Sequence, residues 1–315
     1  MARKALLGRV SDVDIRLLRV FRSVVACGGL SAAELELNIG RSTISRHLTD
    51  LEMRLGVKLC DRGPAGFALT SEGERVLDAS ARLLSAINNF QSDIDEVHLR
   101  LTGHLSIALF DKTVTNPDAR LPETIRSFDE IAPKATIEIH VEPFNAIESG
   151  VLSGRFHLAI IPPHRQSSSL NYYPVYSEEM YLYCGANHPL FGRADSEISR
   201  QDVRQHKYAG IGFHSPNMEV SHRLNLKRSA DAYDEEALAV LILSGCYLGF
   251  LPDHYAKRFV DSGSMRCLRP EEYHYRSSHS VVVRRSPQPS RLVQEFLDCL
   301  RRIHSPESKL VHKRA

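Results

Sequence analysis

The densest chemical vocabulary in this chain lies between positions 41 and 62. There Arg41, Ser42, Thr43, Ser45, Arg46, Thr49 and Arg62 gather guanidinium and hydroxyl groups in a short span. An arginine donates to two acceptors of a guanine edge at once, and serine or threonine meets base edges or phosphates. The chemistry on offer is recognition of a duplex rather than bond breaking. A helix would give these groups a common direction, because Ile44, Leu48, Leu51 and Leu55 recur at i, i+4, i+7 and i+11 as one apolar stripe. Ser42, Arg46 and Thr49 then fall opposite the stripe, with Arg41 and Ser45 on its flanks. An ordinary amphipathic helix with a solvated face has the same pattern, so the neighbouring elements must decide.

A turn at Asn38-Ile39-Gly40 separates this helix from a shorter one, in which Ser31 is expected to cap and Ala33 and Leu37 to face inward. Before it, Ser11 or Asp12 caps a helix carrying Ile15, Leu18, Phe21 and Val25 on its apolar face, stopped by Gly28-Gly29. After it, Leu59, Phe67 and Leu69 bracket Gly63-Pro64-Ala65-Gly66, a two-stranded wing with Arg62 near its tip, suited to the sugar-phosphate backbone or minor groove. These parts together resemble a winged helix-turn-helix. From Thr70 onward Val76, Leu83, Phe90 and Val97 repeat every seven residues, with Ile87, Ile94 and Leu101 four places later in the last three repeats. That seam predicts a helix of about 45 Å that pairs with another along its length.

The stretch from Ser42 to Gly73 carries further landmarks in order: Leu51-Glu52, Leu55-Gly56, Arg62, then Leu69-Thr70 with Gly73. It resembles the amino-terminal signature of LysR-type transcriptional regulators. Two positions depart from that pattern: Glu34 stands where a second small alanine is usual, and Cys60 where a phenylalanine is usual. The resemblance implies a linker helix used for dimerisation and a tetramer built through effector-domain contacts.

Beyond Thr102-Gly103 strands and helices alternate. Residues 105–110, 136–143 and 156–162 read as strands, with helices over 117–133 and 146–154, a β-α-β-α-β run that predicts a parallel sheet. After Pro162 a similar texture returns: strands at 178–186, 247–252, 265–268 and 279–285, helices at 198–205, 234–245, 253–263 and 290–303. Two such halves resemble the periplasmic-binding-protein-like effector domain of the same family, which implies that the chain crosses back near residue 280 and that its last helix packs on the first half. His157 stands where that family has an Asp before Leu-Ala-Ile.

The expected architecture is therefore α/β: a winged helix-turn-helix DNA-binding domain over 1–70, a linker (dimerisation) helix over 71–102, effector lobe I from 103–163 and 280–305, lobe II from 164–279, and a disordered tail over 306–315. In open α/β sheets small molecules bind at the carboxyl ends of strands beside helix amino-termini. Those positions are Asp111, Lys112, Thr113, Phe144, Asn145 and His164 in the first half and Phe213, His214, Ser215 and Tyr233 in the second. Lys112, Thr113 and Thr115 suggest an anionic group, hence a carboxylate-bearing effector; turn capping and solvation are the plain alternatives for each residue.

Bulk properties agree with this reading. The 315 residues suit two or three domains, 43% hydrophobic and 25% charged. The net charge is only +2, but residues 1–70 hold eleven Lys/Arg against seven Asp/Glu, the excess lying where phosphate contact needs it. Six scattered cysteines without a C-x-x-C pair favour free thiols in a reducing cytoplasm over a disulfide framework or zinc ribbon. No apolar run reaches the roughly 20 residues of a membrane span. An enzyme or a solute-binding protein is the competing class; G-x-S-x-G, G-x-x-x-x-G-K-[ST] and H-E-x-x-H are absent, so no catalysis, metal or cofactor is expected. The expected partners are double-stranded DNA, a small-molecule effector and further copies of the chain.

Overall fold

The computed structural model describes residues 8–63, 66–97, 101–163, 166–212 and 215–305. The chain divides into an amino-terminal unit ending at Phe90 and a carboxy-terminal unit beginning at Gln91.

The first unit packs α1 (Asp12–Ala26), α2 (Leu30–Leu37) and α3 (Arg41–Leu55) around one core and adds a hairpin of β1 (Cys60–Gly63) and β2 (Gly66–Leu69). Leu17, Leu18, Phe21 and Val24 of α1 meet Ala33 of α2 and Ile44, Leu48 and Leu51 of α3. Each large side chain so buried contributes about 1.5–3 kcal/mol. The buried face of α1 is broader than its predicted stripe, because the helix touches both others; Ile15 and Val25 are only half-buried. At the start of α1 the Asp14 carboxylate accepts from Ser11 N and Oγ at 2.8 and 2.6 Å. Arg54, near the end of α3, pairs with the same carboxylate, and this bond, reinforced by Ser11, holds Asp14 well below the usual carboxylate range.

Ser31 does not cap α2. Gly29, at φ +150° with its neighbour Gly28 at +73°, occupies the cap position, a conformation that only glycine adopts freely, and Ser31 falls inside the first turn. Asn38 takes the left-handed conformation that closes α2. The hairpin pairs Cys60 with Leu69 and Arg62 with Phe67; Pro64 and Ala65 of the expected turn lie outside the described residues. Gly73 is required by crowding, since a Cβ there would sit 1.9 Å from Leu59 O.

Helix α4 (Ser71–Val97) follows, 27 residues long and so about 40 Å. Of the predicted seam, Leu101 lies outside the helix and packs against the second unit's core. Val76, Leu77 and Leu83 pack against the core of the winged helix, so the early repeats serve the unit itself. Farther along, Phe90 is 64% and Ile94 44% exposed.

The second unit opens with β3 (Thr102–Leu109), α5 (Leu121–Ile131), β4 (Lys134–Val141), α6 (Phe144–Ser153) and β5 (Leu158–Ile161). β3 pairs in parallel with both β4 and β5, the predicted β-α-β-α-β arrangement. The long strand β6 (Leu170–Gly185) leads to α7 (Arg200–Gln205), β7 (Lys207–Ile211), α8 (Pro216–Arg223), β8 (Lys227–Ala232), α9 (Glu235–Leu243), β9 (Gly249–Pro252), α10 (Asp253–Asp261) and β10 (Met265–Cys267). Strand β11 (His274–Arg284) and α11 (Arg291–His304) complete it. The sheet order is β10-β6-β11-β5-β3-β4, with β9 also on β6, while β7 and β8 form a separate parallel pair.

The crossing near residue 280 is a change of neighbour along one strand. β11 pairs antiparallel with β6 over its whole length and with β5 only from Ser280 to Val283, and a bulge falls between His279 and Ser280. β6 is already paired beside the first lobe from Leu170, with Tyr173, Val175 and Tyr176 in or against that lobe's core. α11 returns to the same core, where Phe296 meets Phe128 of α5 edge to face at 5.3 Å. The sequence reading assigned neither α8 nor β8. Both are short, and the polar KRSADA of β8 carries no apolar alternation. Residues 306–315 of the expected tail lie outside the described residues.

Candidate nucleic-acid interface and effector site

On α3 the buried stripe of Ile44, Leu48 and Leu51 turns Arg41, Ser42, Arg46 and Thr49 to solvent, with Thr43 and Ser45 half-buried beside them. Gly40 caps the helix from an extended conformation, and the Glu34 carboxylate accepts from Arg41 N. An acid at that point favours the helix start through the macrodipole; the replacement of a small residue at 34 thus supplies a cap. Arg41, Ser42, Ser45 and Arg62, with Ser31 and Phe67, border an open groove of about 840 Å³ between α2, α3 and the hairpin.

Arg62 is braced against α3. One guanidinium nitrogen pairs with Glu52 and the other donates to Ser45 O at 3.2 Å. Glu52, 6% exposed, also accepts from Leu59 N at 2.9 Å and Cys60 N at 3.3 Å. This single carboxylate therefore fastens the wing to the helix, a role that the Leu51-Glu52 landmark did not reveal because its partners lie up to ten residues away. Burial raises the Cys60 thiol, which opposes a reactive thiolate there.

In the second unit Asp111, Lys112 and Tyr233 border a cavity of about 400 Å³ together with Glu142, Asp234 and Glu236. Asp111 accepts from Glu235 N at 2.9 Å, capping α9 from across the cleft. Lys112 holds a left-handed φ of +59°, unusual for a side-chain-bearing residue. Its ammonium lies 2.9 Å from Asp111 and 3.0 Å from Glu236. Burial works against that charge, but these hydrogen bonds outweigh it and raise its pKa. The lysine expected to receive an anion is thus already neutralised, and the cavity carries four acids against it.

The other expected effector residues separate. Thr113 is buried and donates to Phe110 O at 2.7 Å. Phe144 sits in the hydrophobic core of the first lobe, since its place at the start of α6 turns it inward. Asn145 is exposed. Ser215 accepts from Met218 N as the cap of α8. His164, Phe213 and His214 lie outside the described residues. The sequence reading missed Tyr176 and Glu178 on β6, Glu235 on α9, His254 on α10 and His279 on β11. Glu178, the inward-facing member of the Glu178-Glu179 pair in β6, was the one available signal.

The model described as the LysR substrate binding domain matches residues 82–304, and that for bacterial regulatory helix-turn-helix proteins of the lysR family matches residues 15–74. The chain belongs to the LysR family of transcriptional regulators. This LysR-type regulator is 40% identical over 299 residues to the HTH-type transcriptional activator BauR of Pseudomonas aeruginosa, covering 95% of this chain and 98% of that one. It is 25% identical over 282 residues to the SDS degradation transcriptional activation protein of a Pseudomonas species, covering 86% and 90%. Its fold matches crystal structures of CbnR, a LysR family regulator, alone (TM-score 0.65, 19% identity, 92% and 99% covered) and with target DNA (TM-score 0.62, 20% identity, 91% and 98% covered). The helix-turn-helix match ends within the first turn of α4, and the substrate-domain match begins inside that helix. Among the described residues no helix is long and apolar enough to cross a membrane.

Proposed function

We propose that this LysR-type regulator acts in the cytoplasm as a dimer joined through α4, each copy laying α3 in the major groove of one half of a dyad operator. Effector-domain contacts assemble the dimers into a tetramer, and a small molecule bound between the lobes shifts the tetramer between two geometries for which it has different affinities. The domain limits set out from the sequence belong to this reading. The observation that carries it is the exposed face of α3: two arginines and two hydroxyls directed outward by a fully buried stripe, beside a groove open to solvent. Arg46, on the outward centre of that face, is assigned a base contact; Arg41, Ser42, Thr43, Ser45 and Thr49 complete the base and phosphate contacts. Arg62 holds the wing in place at their edge.

Gel retardation of the DNA upstream of the regulator's own gene tests this. Arg46→Ala is expected to weaken specific binding by about 1–3 kcal/mol while leaving binding to scrambled DNA nearly unchanged. Equal affinity and equal specificity in the variant would remove Arg46 from base recognition.

A further inference from the structure

Where β6 and β11 cross between the lobes, the interior is acidic and incompletely hydrogen-bonded. Glu235 is 4% exposed, and its Oε2 has no hydrogen-bond partner among the described residues. Glu178, 9% exposed on β6, lies close enough for the two carboxylates to repel. It is met by His254 Nε2 at 3.0 Å and His279 Nε2 at 3.7 Å. Tyr176, two residues earlier on the same face of β6, has a buried hydroxyl that is also without a partner among the described residues; the neighbouring Thr113 spends its proton on Phe110 O. Lys112 is the nearby cation, and it is turned onto Asp111 and Glu236 instead.

Buried polar atoms in native proteins are nearly always bonded, and one left bare costs about 1–3 kcal/mol. Bare atoms on an acid and on a hydroxyl, beside a second acid, call for a donor that is also positive. We propose that the effector of this regulator carries a protonated amine, whose N–H groups donate to Glu235, Glu178 and the Tyr176 oxygen. The assignment rests on the effector-responsive reading above and replaces the carboxylate expected from Lys112. The neighbouring cavity, joined to this cluster by Asp111 through its bond from Glu235 N, is lined by acids whose field attracts cations. A zwitterion fits provided that its carboxylate points away from this floor.

Titration calorimetry on the full-length protein tests this with propylamine, putrescine and γ-aminobutyrate against propionate at matched millimolar concentration. The amines are expected to bind and propionate not. Glu235→Gln and Glu178→Gln should each weaken amine binding about tenfold or more, the scale of one lost charge-assisted hydrogen bond. Glu235→Gln keeps the side-chain shape and removes a carboxyl whose ionisation is opposed by burial and by the neighbouring Glu178, so its unliganded melting temperature should equal or exceed that of the parent; Tyr176→Phe provides a second variant of unchanged volume. Binding of propionate alone, or amine binding untouched in all three variants, would overturn the assignment. Binding of none of the four compounds would also overturn it, and retardation of the upstream DNA then reports separately whether the regulator reading stands.

Discussion

Glu52→Ala is expected to destabilise the winged helix by roughly 3–5 kcal/mol, the cost of stranding one partner of a buried ion pair. The loss is large because the same carboxylate serves three donors. Without it Arg62 keeps its charge beside the Ser45 carbonyl with no counter-ion, and the amides of Leu59 and Cys60 lose their acceptor. A domain has only about 5–15 kcal/mol to lose, so the amino-terminal unit should melt well before the second one, and DNA retardation should vanish with it. Urea denaturation followed by circular dichroism gives the number. Glu52→Gln, which retains an acceptor for Leu59 N, should fall between the two. An unchanged first transition in the alanine variant would show that the wing is held by other contacts.

The second large effect concerns Phe90 and Ile94, a helical turn apart on α4 and both exposed in the single chain. Large apolar side chains repeated on one helix face are the ordinary sign of a partner. Because they are largely exposed, changing both to glutamate should leave the fold of each unit intact while placing like charges across the proposed seam. Sedimentation velocity should then show monomers. Affinity for a two-half-site operator should drop by about 10²–10⁴-fold, since the second half-site is no longer bound at the effective concentration that linkage supplies. A variant that remains dimeric would move the principal interface away from this stretch of α4.

Much of the fold was legible because it follows from local periodicity. The stripe of Ile44, Leu48 and Leu51 needs only the helical repeat, and the alternation from β3 to β5 needs only apolar runs separated by amphipathic ones. What could not be read depends on partners far apart in sequence. Arg54 reaches back to Asp14, and Glu52 reaches forward to Arg62; neither pair has a spacing that a helix or strand would produce. The heptad in α4 was readable, but its division was not: Val76 and Leu83 are satisfied by the winged helix's own core, which no repeat can announce. The acidic floor was the least legible part. Glu178 and Glu235 come from a strand and a helix start, and the acids at the head of α9 look like ordinary dipole partners until Asp111 and Tyr176 are seen around them.

In the proposed regulator the outward face of α3 reads DNA as part of a paired assembly. Fluorescence anisotropy tests it most directly, with the purified chain titrated onto the upstream DNA and onto a scrambled duplex of the same length over a range of salt. Binding to the upstream sequence should be tighter by about 10³-fold or more, with log affinity falling linearly as log salt rises. Equal affinity for the two duplexes, or no binding to either at low ionic strength, would contradict it.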